Sequence, residues 1–240
     1  MINTFTGSFQ FGRNNISFTK TNLVLYYDPN NTDSYPGSGT TINSLVSPNL
    51  TGTLSNVTLT APYLNYNGSN SQISIADTAS LEPGSGDWTM EAWAYLGANT
   101  GSKVILGKFD PGGGSQDVSY SMRISGNSAF AQLGDGAGNY VNSTSYTLPL
   151  NTWTQIVYVW KNVATNSLET YINGVSIGSV SHSLSSILNT SANLYVGSYN
   201  GGEYSQYFNG KIGIVRLYNK ALSPGEVSRN FNANKGIYGL

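Results

Sequence analysis

The sequence predicts an all-β domain built from sandwich strands, with one short helix near its C-terminus. Three observations carry this expectation. The first is composition: 240 residues hold 28 Gly, 17 Tyr and only 10% charged residues. Ser, Thr and Asn fill the gaps between short apolar runs, which is the chemistry of strands and turns. The second is the run in which Ile212, Ile214 and Arg216 alternate with Gly213, Val215 and Leu217, a period of two that suits a strand with most of its side chains covered. The third is Ser223-Pro224-Gly225-Glu226. A serine at the N-cap accepts from the amide three residues on, Glu226 reaches back to the serine amide, and Pro224 occupies the first helical position, where a missing N–H costs nothing.

The remaining elements follow in order. Val227 and Phe231, four apart, give the helix one apolar side, and Gly236 after Lys235 offers a stop. Upstream, Trp88 to Trp93 and Trp153 to Trp160 read as strands, the second entered from the turn Leu148-Pro149-Leu150-Asn151. Both central residues of a type I′ turn need positive φ, which Asn173 and Gly174 tolerate, so the flanking Thr170–Ile172 and Val175–Ile177 are expected to pair as a hairpin. At least two of the four tryptophans are expected in the core, with Trp160, beside Lys161, partly exposed. The Gly-rich Pro111 to Asp117 sits between strand-like runs and reads as a hairpin loop, not a phosphate cradle.

The order of these segments resembles the laminin-G-like, concanavalin A-type jelly rolls. The Trp88–Trp93 and Trp153–Trp160 strands, the Thr170–Val175 hairpin, the Leu194–Gly197 strand and the closing Phe208–Asn232 strand and helix each match a piece of that pattern. The resemblance implies a two-sheet antiparallel β-sandwich, assigned to residues 21–240; residues 1–20 fall outside it, and their alternation without a helix period reads as an extended arm. Leu23 to Thr53 and the closing Asn230 to Leu240 are further similar to laminin-G-like domains of tailed-bacteriophage virion proteins. That likeness implies a multi-copy protein of the virion surface, decorating the head or a tail appendage, with other virion proteins as partners. A free or cell-attached extracellular lectin is the alternative.

Charge and cysteine count narrow the function classes. A formal net charge of −1 provides no basic field for nucleic acid or acidic membranes. No apolar stretch approaches the ~20 residues of a membrane span. The absence of cysteine removes disulfides, thiolate metal sites and cysteine nucleophiles together. The first residues lack the charged-then-apolar order of a secretory signal, so export as a cleaved precursor is not expected.

Four candidate sites remain. In the arm, Phe5, Phe9, Phe11, Ile16 and Phe18 alternate with polar residues and Gly; the segment either folds back as an edge strand or docks its phenylalanines on another protein of an assembly. Asp28 and Asp33, with Asn30 and Asn31 between them, offer oxygens for Ca²⁺, although Asp and Asn in such loops also cap turns through their own side chains. The family pattern places an Asp just after the Gly of the closing strand; Lys211 stands there, so no family metal role is carried to that position. Tyr199, Tyr204 and Tyr207 lie with Asn200, Glu203, Gln206 and Asn209 in one loop, a composition that suits a sugar's C–H face and hydroxyls, a protein contact, or neither. Catalysis is not expected. Related sandwich hydrolases carry Glu and Asp at alternate positions of one strand, whereas Glu91 stands alone and the only histidine, His182, lies in a serine-rich loop read as solvated.

Overall fold

The computed structural model describes residues 17–109, 118–199, 204 and 206–240. The strands are β1 (Leu23–Tyr27), β2 (Thr41–Asn43), β3 (Thr51–Ser55), β4 (Thr58–Thr60), β5 (Tyr63–Asn67), β6 (Gln72–Ile75), β7 (Trp88–Leu96), β8 (Ser102–Phe109) and β9 (Val118–Ser125). They continue as β10 (Ser128–Gly134), β11 (Tyr140–Asn142), β12 (Tyr146–Thr147), β13 (Trp153–Lys161), β14 (Ser167–Ile172), β15 (Val175–Ser181), β16 (Leu194–Val196) and β17 (Asn209–Tyr218), before helix α1 (Pro224–Asn234).

Two antiparallel sheets form. One runs β15-β14-β13-β7-β17-β5-β4 with β1 also on β17, and the other runs β11-β10-β9-β8-β16-β6-β3-β2 with β12 on β10. The interleaved order follows from the chain crossing repeatedly between sheets, as in a jelly roll. Side chains alternate across each strand, so one face of each sheet meets the other sheet. Met90, Ala92, Ile105, Met122, Ile156, Tyr158 and Leu217 meet there in the main core.

The closing strand departs from simple alternation. Its pairing with β7 shifts register between Ile212 and Val215. The extra residue flips the phase, so Ile212, Val215 and Leu217 join the inter-sheet core while Ile214 and Tyr218 face outward under the helix. Ile212 and Ile214, expected on one face, therefore lie on opposite ones. Gly213 sits at the bulge, and a Cβ there would lie 2.1 Å from the Tyr238 hydroxyl. The open space lets that hydroxyl accept from the Ile214 amide at 2.9 Å.

Helix α1 begins as expected. The Ser223 hydroxyl accepts from the Glu226 amide at 3.3 Å, and the Glu226 carboxylate accepts from the Ser223 amide at 2.9 Å. It ends differently: Gly236 lies inside a following 3₁₀ turn, Lys235–Tyr238, and the left-handed stop is Gly239 at φ 77°. The extra turn carries Tyr238 onto Trp93, at 4.3 Å between ring centroids, with Phe231 stacked 5.8 Å from the same indole. The Asn173-Gly174 turn has the expected φ values of 50° and 79°, and β14 and β15 pair across it.

Beneath α1 lies a buried polar network centred on Glu91. Its Oε1 accepts from Arg216 Nη1 at 3.0 Å and Gln155 Nε2 at 2.9 Å, and its Oε2 accepts from Asn230 Nδ2 at 2.7 Å. Arg216 Nη2 donates to Asn234 Oδ1 at 2.8 Å. Asn230 Oδ1 in turn accepts from the Thr19 amide at 2.8 Å. Strands β7, β13 and β17, the helix and the start of the described chain are thus tied through one ion pair. Burial alone would lower the Arg216 pKa, but the Glu91 charge beside it holds the guanidinium above its ordinary value.

Two aromatic expectations are corrected. Trp160 is 1% exposed, in the core with Trp88; Trp153 is the half-buried tryptophan, packed on Tyr63, Tyr95 and Tyr238. His182 is not a solvated loop residue. Its ring stacks 3.6 Å from that of Trp160 at 15°, and burial pushes its pKa below the ordinary 6.5.

Candidate functional site

The tyrosine loop divides in two. Tyr199 is 3% exposed and packs at 3.9 Å on Phe109, in a small cluster with Val104 and Val118 on the outer face of the second sheet. It is a floor, not a contact surface. Tyr204 stands on it edge-on at 5.6 Å, is 61% exposed and has a left-handed φ of 57°. Asn200 and Glu203 lie outside the described residues.

Tyr204, Gln206, Tyr207 and Asn209 line a cleft of about 430 Å³ with Gly68, Lys103 and Thr100 to Ser102. The sequence placed those four side chains in one loop; the fold brings them against two others, at the ends of β5 and β8. Gly68, at φ 77°, lets Asn209 approach, since a Cβ there would lie 2.7 Å from Asn209 Nδ2. Gly68 also donates its amide to the Phe208 carbonyl at 3.0 Å.

Lys103 is the member that sequence reasoning missed. It is 2% exposed, and its ammonium donates to the carbonyls of Thr100 and, at 3.5 Å, Gly101. Burial pushes its pKa below 10.5. Behind the cleft, Arg123 Nη1 donates to Gln132 Oε1 at 2.5 Å and Nη2 to Gln206 Oε1 at 3.3 Å, with the guanidinium 5.6 Å over the Tyr199 ring. The cleft therefore offers an exposed aromatic face, amide groups for hydroxyls and two nearby cations. A larger groove of about 570 Å³, lined by Tyr140, Val141, His182 and Leu184 among others, opens elsewhere and contains no buried cation.

The other sequence candidates fall apart from this cleft. Asp28 Oδ1 accepts from the Asn30 amide at 3.1 Å and Oδ2 from the Tyr26 hydroxyl at 2.9 Å, so both its oxygens serve the turn. Asp33 donates its own amide to Asn31 Oδ1 at 2.9 Å. Among the described residues, no group of three or more His, Cys, Asp or Glu side chains gathers as metal ligands. Phe18 packs on Tyr26 at 4.8 Å and lies 4.1 Å from the Arg216 guanidinium; Phe5, Phe9 and Phe11 lie outside the described residues. No described helix is long and apolar enough to cross a membrane.

Comparison with known proteins agrees with this architecture. The model of the laminin-G-like family described as the concanavalin A-like lectin/glucanases superfamily matches residues 67–228, more than half of the chain. Among solved structures, the chain is similar to the binding domain of botulinum neurotoxin serotype D/C, at 14% identity and a TM-score of 0.67 over 88% of this chain and 52% of that one. It is also similar to the neurotoxin DC binding domain in complex with SialylT (13% identity, TM-score 0.66, 89% and 52% covered). The same domain in complex with rat synaptotagmin II matches at 13% identity and TM-score 0.68, covering 88% and 52%. The chain spans about half the length of these structures, and identities this low show the shared fold alone. No curated protein matches it in sequence.

Proposed function

The chain belongs to the concanavalin A-like lectin/glucanases superfamily, and from that premise we propose that it is a non-catalytic, lectin-like adhesive domain that contacts surface glycans in the Tyr204 cleft. The observation that carries this is an exposed tyrosine ring, 61% exposed, set over a cleft with amide side chains on a rigid sandwich. A broad apolar face beside fixed polar groups suits half-wet recognition of a sugar ring. The neurotoxin domain solved with SialylT has the same fold. The non-catalytic reading is supported by Glu91, whose two oxygens are both held inside the structure by Arg216, Gln155 and Asn230 and reach no cleft.

A shallow site places few ligand atoms in contact, so single copies bind weakly, and display in many copies converts this into adhesion through high effective concentration. The test compares beads displaying the parent and the Tyr204→Ala/Tyr207→Ala protein on glycan-coated surfaces. The reading predicts loss of adhesion with the fold intact; undiminished adhesion contradicts it.

The setting we propose is the surface of a tailed-phage virion, in many copies, attached to other virion proteins through Phe5, Phe9 and Phe11. Its support is the likeness of Leu23–Thr53 and Asn230–Leu240 to such proteins. Deleting residues 2–16 leaves Phe18 and Thr19 to complete the Arg216 network, so this truncation is expected to fold and to be lost from particles. Normal incorporation overturns the virion attachment and favours a free extracellular lectin.

A further inference from the structure

Three cations are buried among the described residues: Lys103, Lys108 and Arg216. Withdrawing an ammonium or guanidinium from water costs several kcal/mol even after relaxation, and a carboxylate at contact distance is the usual compensation. Lys108 has two, Asp77 at 2.8 Å and Glu82 at 2.5 Å. Arg216 has Glu91 at 3.0 Å. Among the described residues, Lys103 has only the carbonyls of Thr100 and Gly101. Burial also pushes its pKa down.

Lys103 also lines the cleft. Arg123, which holds Gln206 at the cleft wall, is likewise met by two neutral amide oxygens. Among the described residues no carboxylate lines the cleft, although the whole chain carries 11 Lys and Arg against 12 Asp and Glu. An anionic group entering the cleft supplies the counter-charge that no described residue gives Lys103, and does so in a site from which water is partly excluded, where the attraction is less screened.

We propose that the ligand of this cleft is an acidic sugar, one bearing a carboxylate or a sulfate, and that Lys103 is the residue that selects the charge. The inference rests on the glycan-recognition reading above and narrows it. The sugar ring lies against Tyr204 and Tyr207, its hydroxyls meet Gln206 and Asn209, and its acidic group approaches the Lys103 ammonium.

The experiment measures binding of the full chain, displayed in many copies, to an oligosaccharide ending in glucuronic acid, the same oligosaccharide ending in glucose, and a 6-sulfated form of the glucose-ended compound. One or both acidic compounds are expected to bind at least about tenfold better than the neutral one, the size of one charge-assisted hydrogen bond. The two acidic arms tell carboxylate from sulfate. High salt is expected to erase the preference. In Lys103→Met the acidic and neutral compounds are expected to bind within about twofold of each other, and Lys103→Arg restores the preference. Equal binding of all three by the parent overturns the inference and leaves glycan recognition standing; binding of none overturns both. An acidic preference that survives in folded Lys103→Met also overturns it. Should Lys103→Met not fold, the parent's acid-to-neutral ratio and its salt dependence decide alone.

Discussion

Arg216 and Lys103 are both strand-borne cations withdrawn from water, and the fold treats them in opposite ways. Arg216 lies under helix α1 with its charge and both terminal nitrogens met, its Nε alone lacking a hydrogen bond: Glu91 takes the charge, Asn234 a second N–H, and the rings of Phe18 and Tyr26 lie 4.1 and 4.7 Å from the guanidinium carbon. Lys103 lies at a cleft and, among the described residues, meets carbonyl oxygens alone. The first arrangement closes on itself and fixes one packing of helix on sheet. The second leaves a charge open to something outside the chain. The contrast separates a buried charge that organises the fold from one that is available for recognition.

The comparison is sharpest on the Arg216 side. Glu91→Leu strands a buried guanidinium and is expected to cost about 3–5 kcal/mol, read as a lower urea midpoint. Glu91→Leu with Arg216→Met is expected to recover most of that loss, because the charge and its partner go together. A double variant no better than the single one breaks the account of the network. Next in size is Gly213→Ala. The added methyl meets the Tyr238 hydroxyl and is expected to cost about 1–3 kcal/mol by displacing the 3₁₀ turn from Trp93.

Ser223→Ala removes the cap and is expected to cost about 1 kcal/mol. Its pH dependence has a definite sign. Burial alone would raise Glu226, but hydrogen bonds from Lys220 and from the Ser223 amide and hydroxyl outweigh it and hold the carboxyl below 4.5. A carboxylate depressed in the folded state stabilises fully above its unfolded value and loses that contribution as pH falls through the folded one. The gap between parent and Glu226→Gln is therefore expected to be present at neutral pH and to close in acid below about 4.5, followed by thermal melts. The smallest effect is expected at Lys103: Lys103→Met exchanges an uncompensated charge for an apolar stem, so stability is unchanged or raised. A large loss there makes Lys103 a structural residue like Arg216.

The hairpin at Asn173-Gly174, the Ser223 capping box and the strands around the four tryptophans were legible because each depends on neighbours in sequence. The bulge at Gly213 was not, since the phase of β17 is set by its pairing with β7 and by Tyr238, 25 residues on in the chain. Trp160 beside Lys161 suggested a strand end at the surface; the His182 ring, from a distant loop, covers it. Of the candidate cleft, the tyrosines and their amide neighbours could be read from one loop, but Lys103 sits on another strand. A signal for it existed. Lys103 and Lys108 fall within Lys103–Phe109, a run otherwise apolar or Gly, and a charge inside such a strand marks a buried group that needs a partner.

Recognition in the cleft holding Lys103 can be tested residue by residue. The direct measurement is a titration of isotopically labelled protein with the glucuronic-acid-ended oligosaccharide, following backbone amide resonances, which report weak binding residue by residue. Binding in this cleft is expected to concentrate the shifts at Gly68, Gly101, Lys103, Gln206 and Asn209, with Glu91, Asn230 and the helix unmoved. Shifts concentrated instead along Tyr140, Val141, His182 and Leu184 contradict it.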